Sequence, residues 1–144
     1  MPVDDGNCFA CGPDNPIGLH LRFTGAAQGV CARIVLRDDF QGWKNIAHGG
    51  IAMALLDEAM AHAAGHAGHR GMTGSINVRF RKPVPLGKPL DICGWVAWQR
   101  RNVLGLEATV CDEFGTTLAR ADGNFVSMGP LDAVDDRRNP ARAR

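Results

Sequence analysis

No stretch of this 144-residue sequence is apolar for long enough to cross a bilayer. The N-terminus, MPVDDGN, lacks the basic-then-apolar order of a secretion signal. Charge of one sign is also missing. With 16 basic and 15 acidic residues the formal net charge is +1, which excludes a general attraction for nucleic acid or an anionic membrane. There is no GxSxG elbow, no Walker A loop and no GxGxxG dinucleotide fingerprint. No internal repeat is present. Cysteine occurs at Cys8, Cys11, Cys31, Cys93 and Cys111. That odd count, without a secretion signal, predicts reduced thiols in a cytosol. Cys8-x-x-Cys11-Gly12 has the shape of half a zinc knuckle, but no second pair follows it. A two-fold partner would have to supply two more thiolates, so a metal-free turn is the expectation.

What the chain does have is HGGIAMALLDEAM, His48 to Met60. Ile51, Ala52, Met53, Ala54, Leu55, Leu56, Ala59, Met60, Ala61, Ala63 and Ala64 leave scarcely any polar face, and a helix apolar all round is a buried one. Ala, Leu and Met also favour helix, and Gly65 and Gly68 supply the stop. Asp57 and Glu58 sit inside this run, where charged side chains need a partner or a task.

The helix start carries unpaired N–H groups and the positive end of the dipole. Gly49 and Gly50 there either serve an oxyanion or only permit a sharp loop-to-helix turn. From His48 to Asp57 the helix advances about 13.5 Å and makes a net half turn. The two side chains point to opposite faces, so if both are catalytic, two antiparallel copies about a two-fold axis must share each site. Glu58, His62, His66 and His69 run at helical spacing, which suits a metal; His66 and His69 also suit the dipole at a helix C-terminus.

Around this helix the pattern is strands. Leu19, Leu21 and Phe23 alternate with polar residues, Gly25 to Gly29 reads as a hairpin loop, and Val30, Ala32, Ile34 and Leu36 alternate again. RDDFQGWKNIA leads to the helix, with Phe40 and Trp43 available to close over something. Ile76, Val78 and Phe80 then face one side of a strand and Asn77, Arg79 and Arg81 the other. Strands follow from Leu90 to near Arg101, from Val103 to Val110 and from Leu118 to Met128. The tail GPLDAVDDRRNPARAR is expected to be disordered or loosely packed. The domain plan is thus a turn-rich segment over 1–16, an α+β domain over 17–128 and a tail over 129–144, with an antiparallel sheet wrapped around one long central helix.

Several segments together resemble one family. HGGIAMALLDEAM, CFACGPDNPIGLHLRF, FQGWKNIAHGG and SINVRFRKPVPLG are similar to the hotdog-fold acyl-CoA thioesterases of the PaaI-like branch, from about Cys8 to Met128. The resemblance implies a homodimer or dimer of dimers with active sites at the subunit interface. It implies an acyl-CoA substrate, hydrolysed to a carboxylic acid and free coenzyme A, with no cofactor besides that substrate. By position in the motif Asp57 would be general base or nucleophile, the Gly49 N–H would polarise the thioester carbonyl, and His48 would support that end. Thr73 matches a hydroxyl that many members place near the start of the next strand, with Ser75 the fallback. Some members carry an Asn where this chain has Gly42, so any role of that Asn is absent or replaced.

Physical chemistry supports part of this independently. Desolvation in an apolar helix raises a carboxylate's pKa and so its basicity. Asp57 as a paired interface residue is the plainer alternative. Glu58 and Gly50 are read as structural or substrate-pocket residues. Arg79, Arg81 and Lys82 would hold the phosphates of coenzyme A, or else form a solvated outer face of the sheet. The expected protein is cytoplasmic, metal-free, and binds neither nucleic acid nor membrane. Two other readings are a non-catalytic acyl-CoA-binding protein and a hotdog dehydratase or hydratase, which needs a paired acid and base that HGG does not match.

Overall fold

The computed structural model describes residues 3–131. In chain order the elements are β1 (Thr24–Ala26), β2 (Gly29–Val35), α1 (Gly49–His66), β3 (His69–Phe80), β4 (Pro89–Arg100), β5 (Val103–Asp112) and β6 (Thr117–Pro130). A single 3-10 turn, Asp38–Phe40, precedes α1. The strands form one antiparallel sheet in the order β1-β2-β4-β5-β6-β3. Tight turns make β4, β5 and β6 a meander, whereas β3 reaches its place at the far edge only after the helix.

The helix lies against β2, β3, β4, β5 and β6, so the sheet curves around it as the apolar pattern requires. Leu55, Leu56, Ala59, Met60, Ala63 and Ala64 are buried against Ile92, Leu104, Leu106, Ala108 and Val110. Small helix residues bring the layers close. A Cβ on Gly94 of β4 would collide with the backbone carbonyl of Ala59. The helix ends where expected. Ala67 N–H returns to Ala63 O, and Gly68 takes φ +99°, a conformation that side chains disfavour. No helix among the described residues is long and apolar enough to cross a membrane.

Four expectations need correction. Residues 19–23 keep their alternation, with Leu19, Leu21 and Phe23 buried and His20 and Arg22 exposed, but they form no strand. Leu19 and Leu21 donate to Phe9 O and Ala10 O, and His20 takes φ +53°, which breaks an extended ladder. The strand begins instead at Thr24 and runs through Ala26, into the expected hairpin loop. The strand after the helix starts at His69 rather than near Ile76. His69 therefore leaves the helical series; its Nδ1 meets Ser127 Oγ at 3.0 Å. Finally, not all thiols are reduced. Cys31 of β2 stands opposite Cys93 of β4 and the two form a disulfide, leaving Cys8, Cys11 and Cys111 free. Their 62-residue separation hides that pairing from any local pattern. The expected tail lies almost wholly outside the described residues; its first residues, up to Pro130, belong to β6.

Candidate active site

The loop before α1 folds back on itself. Gln41 pairs with Ala47, Gly42 N–H donates to Ile46 O, and His48 N–H donates to Phe40 O. Phe40 is buried and meets Phe9 edge to face, while Trp43 at the tip is 85% exposed and closes over nothing. Gly42 belongs to this construction, since a Cβ there would come within 3.0 Å of His48 Cα. A side chain at that position would push on the helix start.

His48 is the N-cap of α1. Its Nδ1 accepts from Gly50 N–H at 2.9 Å, which puts the ring proton of a neutral imidazole on Nε2. Its carbonyl accepts from Ile51 and Ala52. Capping thus occupies three of the helix-start donors. Among the described residues, the Gly49 N–H finds no acceptor, and a Cβ on Gly49 would meet only the Phe80 ring, at 3.8 Å. His48, Gly49 and Gly50 are all exposed. An open, unpaired N–H at the positive end of a helix is a donor aimed at an anion or a polarised carbonyl.

Asp57 is half-buried, and Thr73 Oγ1 of β3 donates to its Oδ1 at 2.8 Å. Burial pushes the Asp57 carboxyl above its ordinary value, the Thr73 bond pulls it down, and the neighbouring Glu58 charge pushes it up again. Thr73 is brought there by a ladder irregularity. The β3–β6 register shifts between Thr73 and Ser75, as at a bulge, which re-aims the side chain. Ser75 is exposed and is not the hydroxyl at Asp57.

Arg79, Arg81 and Lys82 are exposed at the end of β3, beside the Phe80 ring that faces Gly49. Glu58 does not join Asp57. It is 7% exposed and faces Cys8 and His62. Within one chain two groups of these residues therefore lie apart on α1. His48, Gly49 and the basic strand end lie at one end, and Asp57 with Thr73 lies about two turns further along the helix. Sequence reasoning missed the Glu58–His62–Cys8 grouping, although the i,i+4 spacing of Glu58 and His62 was its visible half.

The thioesterase superfamily model matches residues 44–119, more than half of the chain. The protein belongs to the thioesterase superfamily. No curated protein matches the sequence. Among solved structures, a thioesterase superfamily protein is 24% identical with a TM-score of 0.80, covering 84% of this chain; this chain spans only 60% of that one. The Escherichia coli PaaI protein from the phenylacetic acid degradation operon is 18% identical, with a TM-score of 0.72 over 78% of this chain and 83% of that one. A hypothetical thioesterase from Streptococcus pneumoniae, solved with coenzyme A, is 18% identical with a TM-score of 0.72, over 78% of this chain and 91% of that one. It has also been solved with an aspartate, and separately a threonine, replaced by alanine. The six-stranded sheet and single long helix are the hotdog fold of these neighbours.

Proposed function

We propose that the protein is an acyl-CoA thioesterase, converting acyl-CoA and water to a carboxylic acid and free coenzyme A. The observation that carries this is the half-buried Asp57 carboxylate, gripped by Thr73 at 2.8 Å on a helix whose start exposes an unpaired Gly49 N–H. An aspartate and a threonine were also the residues replaced in the Streptococcus pneumoniae protein, and their spacing equals that of Asp57 and Thr73.

In the reaction, Asp57 takes a proton from water as the water oxygen adds to the thioester carbonyl carbon. The carbonyl π pair moves onto oxygen, where the Gly49 N–H and helix dipole stabilise it. Collapse breaks the C–S bond, and the departing thiolate takes the proton back from Asp57. Thr73 holds Oδ1 and leaves the other oxygen for the water.

Because the Gly49 N–H opens at the start of α1 and Asp57 lies eight residues, about 12 Å, further along it, each site takes its two halves from two subunits of a homodimer. The long edge strand β3 borders the Asp57 half-site and is free to lie against a partner. Arg79, Arg81 and Lys82 supply cations for coenzyme A phosphates beside the helix start. Gly50 and Ser75, both exposed, are assigned to substrate contact, while His48 fixes the helix start. No further cofactor is needed.

A thiol-release assay over short, medium, long and aryl acyl-CoAs tests the reading, with Asp57→Asn as control. Release that depends on Asp57 supports it. Saturable acyl-CoA binding without release from any substrate makes the protein a binding module instead. A product altered on carbon, without free thiol, makes it a hydratase.

A further inference from the structure

Glu58 of α1 lies beside the N-terminal CxxC turn. The Sγ atoms of Cys8 and Cys11 and a carboxylate oxygen of Glu58 all fall within 4.8 Å of one another. Cys8 Sγ is 3.9 Å from Glu58 Oε1. One helical turn on, His62 Nε2 is 3.2 Å from that same Oε1. The His62 ring is 3% exposed and stacks on Phe23, with centroids 4.7 Å apart. Neither ring nitrogen makes a hydrogen bond, because the contact to Glu58 has the distance of one and not the direction. A buried imidazole without a hydrogen bond is costly and calls for an explanation.

The CxxC turn is shaped for its thiols. Gly12 N–H closes it onto Cys8 O at 2.8 Å, and Cys11 N–H points at Cys8 Sγ at 3.5 Å. Only glycine fits at position 12, where a Cβ would strike Gly6 O and the Cys8 backbone. The surrounding segment has little else to hold it. Residues 3–15 contribute one fully buried apolar residue, Ala10. Such small units are ordinarily stapled by a metal or a disulfide.

The geometry points to one zinc ion held by Cys8, Cys11, Glu58 and His62, pinning the N-terminal segment to the middle of α1. Two thiolates, an imidazole and a carboxylate are zinc ligands, too soft as a set for magnesium or calcium. Tetrahedral zinc places its donors about 3.3–3.8 Å apart. Cys8, Cys11 and Glu58 already lie within 4.8 Å of one another, and His62, 3.2 Å from Glu58, completes the set by a shift of its ring toward the thiols. Four protein ligands leave no open position, so the ion is structural. It lies away from Asp57, since Glu58 is about 100° further round the helix. This inference replaces the expected metal-free turn, and it stands whether or not the protein cleaves thioesters.

The test is elemental analysis of the full chain, purified without a metal-affinity step and kept reduced. One zinc per chain should survive gel filtration. Cobalt substitution should give tetrahedral visible bands and a thiolate charge-transfer band with the intensity of two sulfurs. Cys8→Ser, Cys11→Ser, Glu58→Gln and His62→Gln should each lose or weaken metal binding, and Cys111→Ser should keep it. If a ligand variant does not fold, the wild-type protein still decides. A chelator should lower its Tm and expose Cys8 and Cys11 to alkylation, and added zinc should reverse both. No metal after incubation with zinc chloride, a different metal, or a Cys8–Cys11 disulfide in the reduced preparation would overturn the proposal. Full binding by His62→Gln would overturn the four-ligand set.

Discussion

Asp57 and Glu58 are adjacent acids on one helix, and they belong to different parts of the molecule. Asp57 is half-buried and turned to Thr73 on the edge strand β3. Glu58 is buried and turned to Cys8 and His62 under the N-terminal segment. One residue of helix is about 100° of rotation, enough to send neighbouring carboxylates to unrelated partners. The first is accessible, its carboxyl raised by burial and steadied by one hydroxyl, as a base needs. The second is enclosed among donors that suit a metal. Adjacent charges in a buried helix are therefore not one acidic patch, and each is understood from the element it faces.

That contrast breaks most visibly at Asp57. Asp57→Asn should lower kcat by about 10²–10⁴-fold with little change in Tm. Glu58→Gln should do the reverse, with most turnover kept, zinc lost and Tm lowered. Steady-state kinetics and thermal denaturation on the two variants decide it; near-normal kcat in Asp57→Asn would sink the assignment of the base.

The proposed shared site gives the next largest effect. His48→Ala and Asp57→Ala should each be nearly inactive. After unfolding and refolding together in equal amounts, half the dimers are mixed, and one site in each mixed dimer carries neither lesion. Activity should return to about a quarter of the wild-type value. If His48→Ala stays active, Gly49→Pro, which removes the N–H itself, takes its place. No recovery in either pairing, with mixed dimers confirmed by mass, would place both residues of each site in one subunit.

A smaller effect tests how Asp57 is held. Thr73→Val removes the 2.8 Å bond and should cost about tenfold in kcat, corresponding to about 1–1.5 kcal/mol, while Thr73→Ser should recover most of it. Gly94→Ala probes the layer beneath both acids. The added methyl meets the Ala59 backbone and should destabilise the fold by about 1–3 kcal/mol, read as a shift in denaturation midpoint. Least affected should be Arg81→Ala, an exposed cation, with KM for acyl-CoA raised about two- to fivefold and the difference shrinking in salt.

The central helix was legible in the sequence because its information is local: an unbroken apolar run, good helix formers and glycines at its end. Asp57 stood out as a charge in that run, and the alternation of Val30 to Leu36 and of Ile76 to Arg81 announced strands. The proposal of a shared site began from nine residues of helical arithmetic. Residues 19–23 misled because alternating burial looks the same whether the backbone pairs in a ladder or, as here, hangs on two hydrogen bonds to residues 9 and 10. Only the tertiary structure could join Cys31 to Cys93, since strand register across 62 residues leaves no trace in either segment. It alone brought Cys8 to Glu58, and it set the Thr73 hydroxyl, which the resemblance had only named, 2.8 Å from Asp57. A sequence specifies which way a side chain leaves its own helix; what waits there depends on how the rest of the chain folds over it.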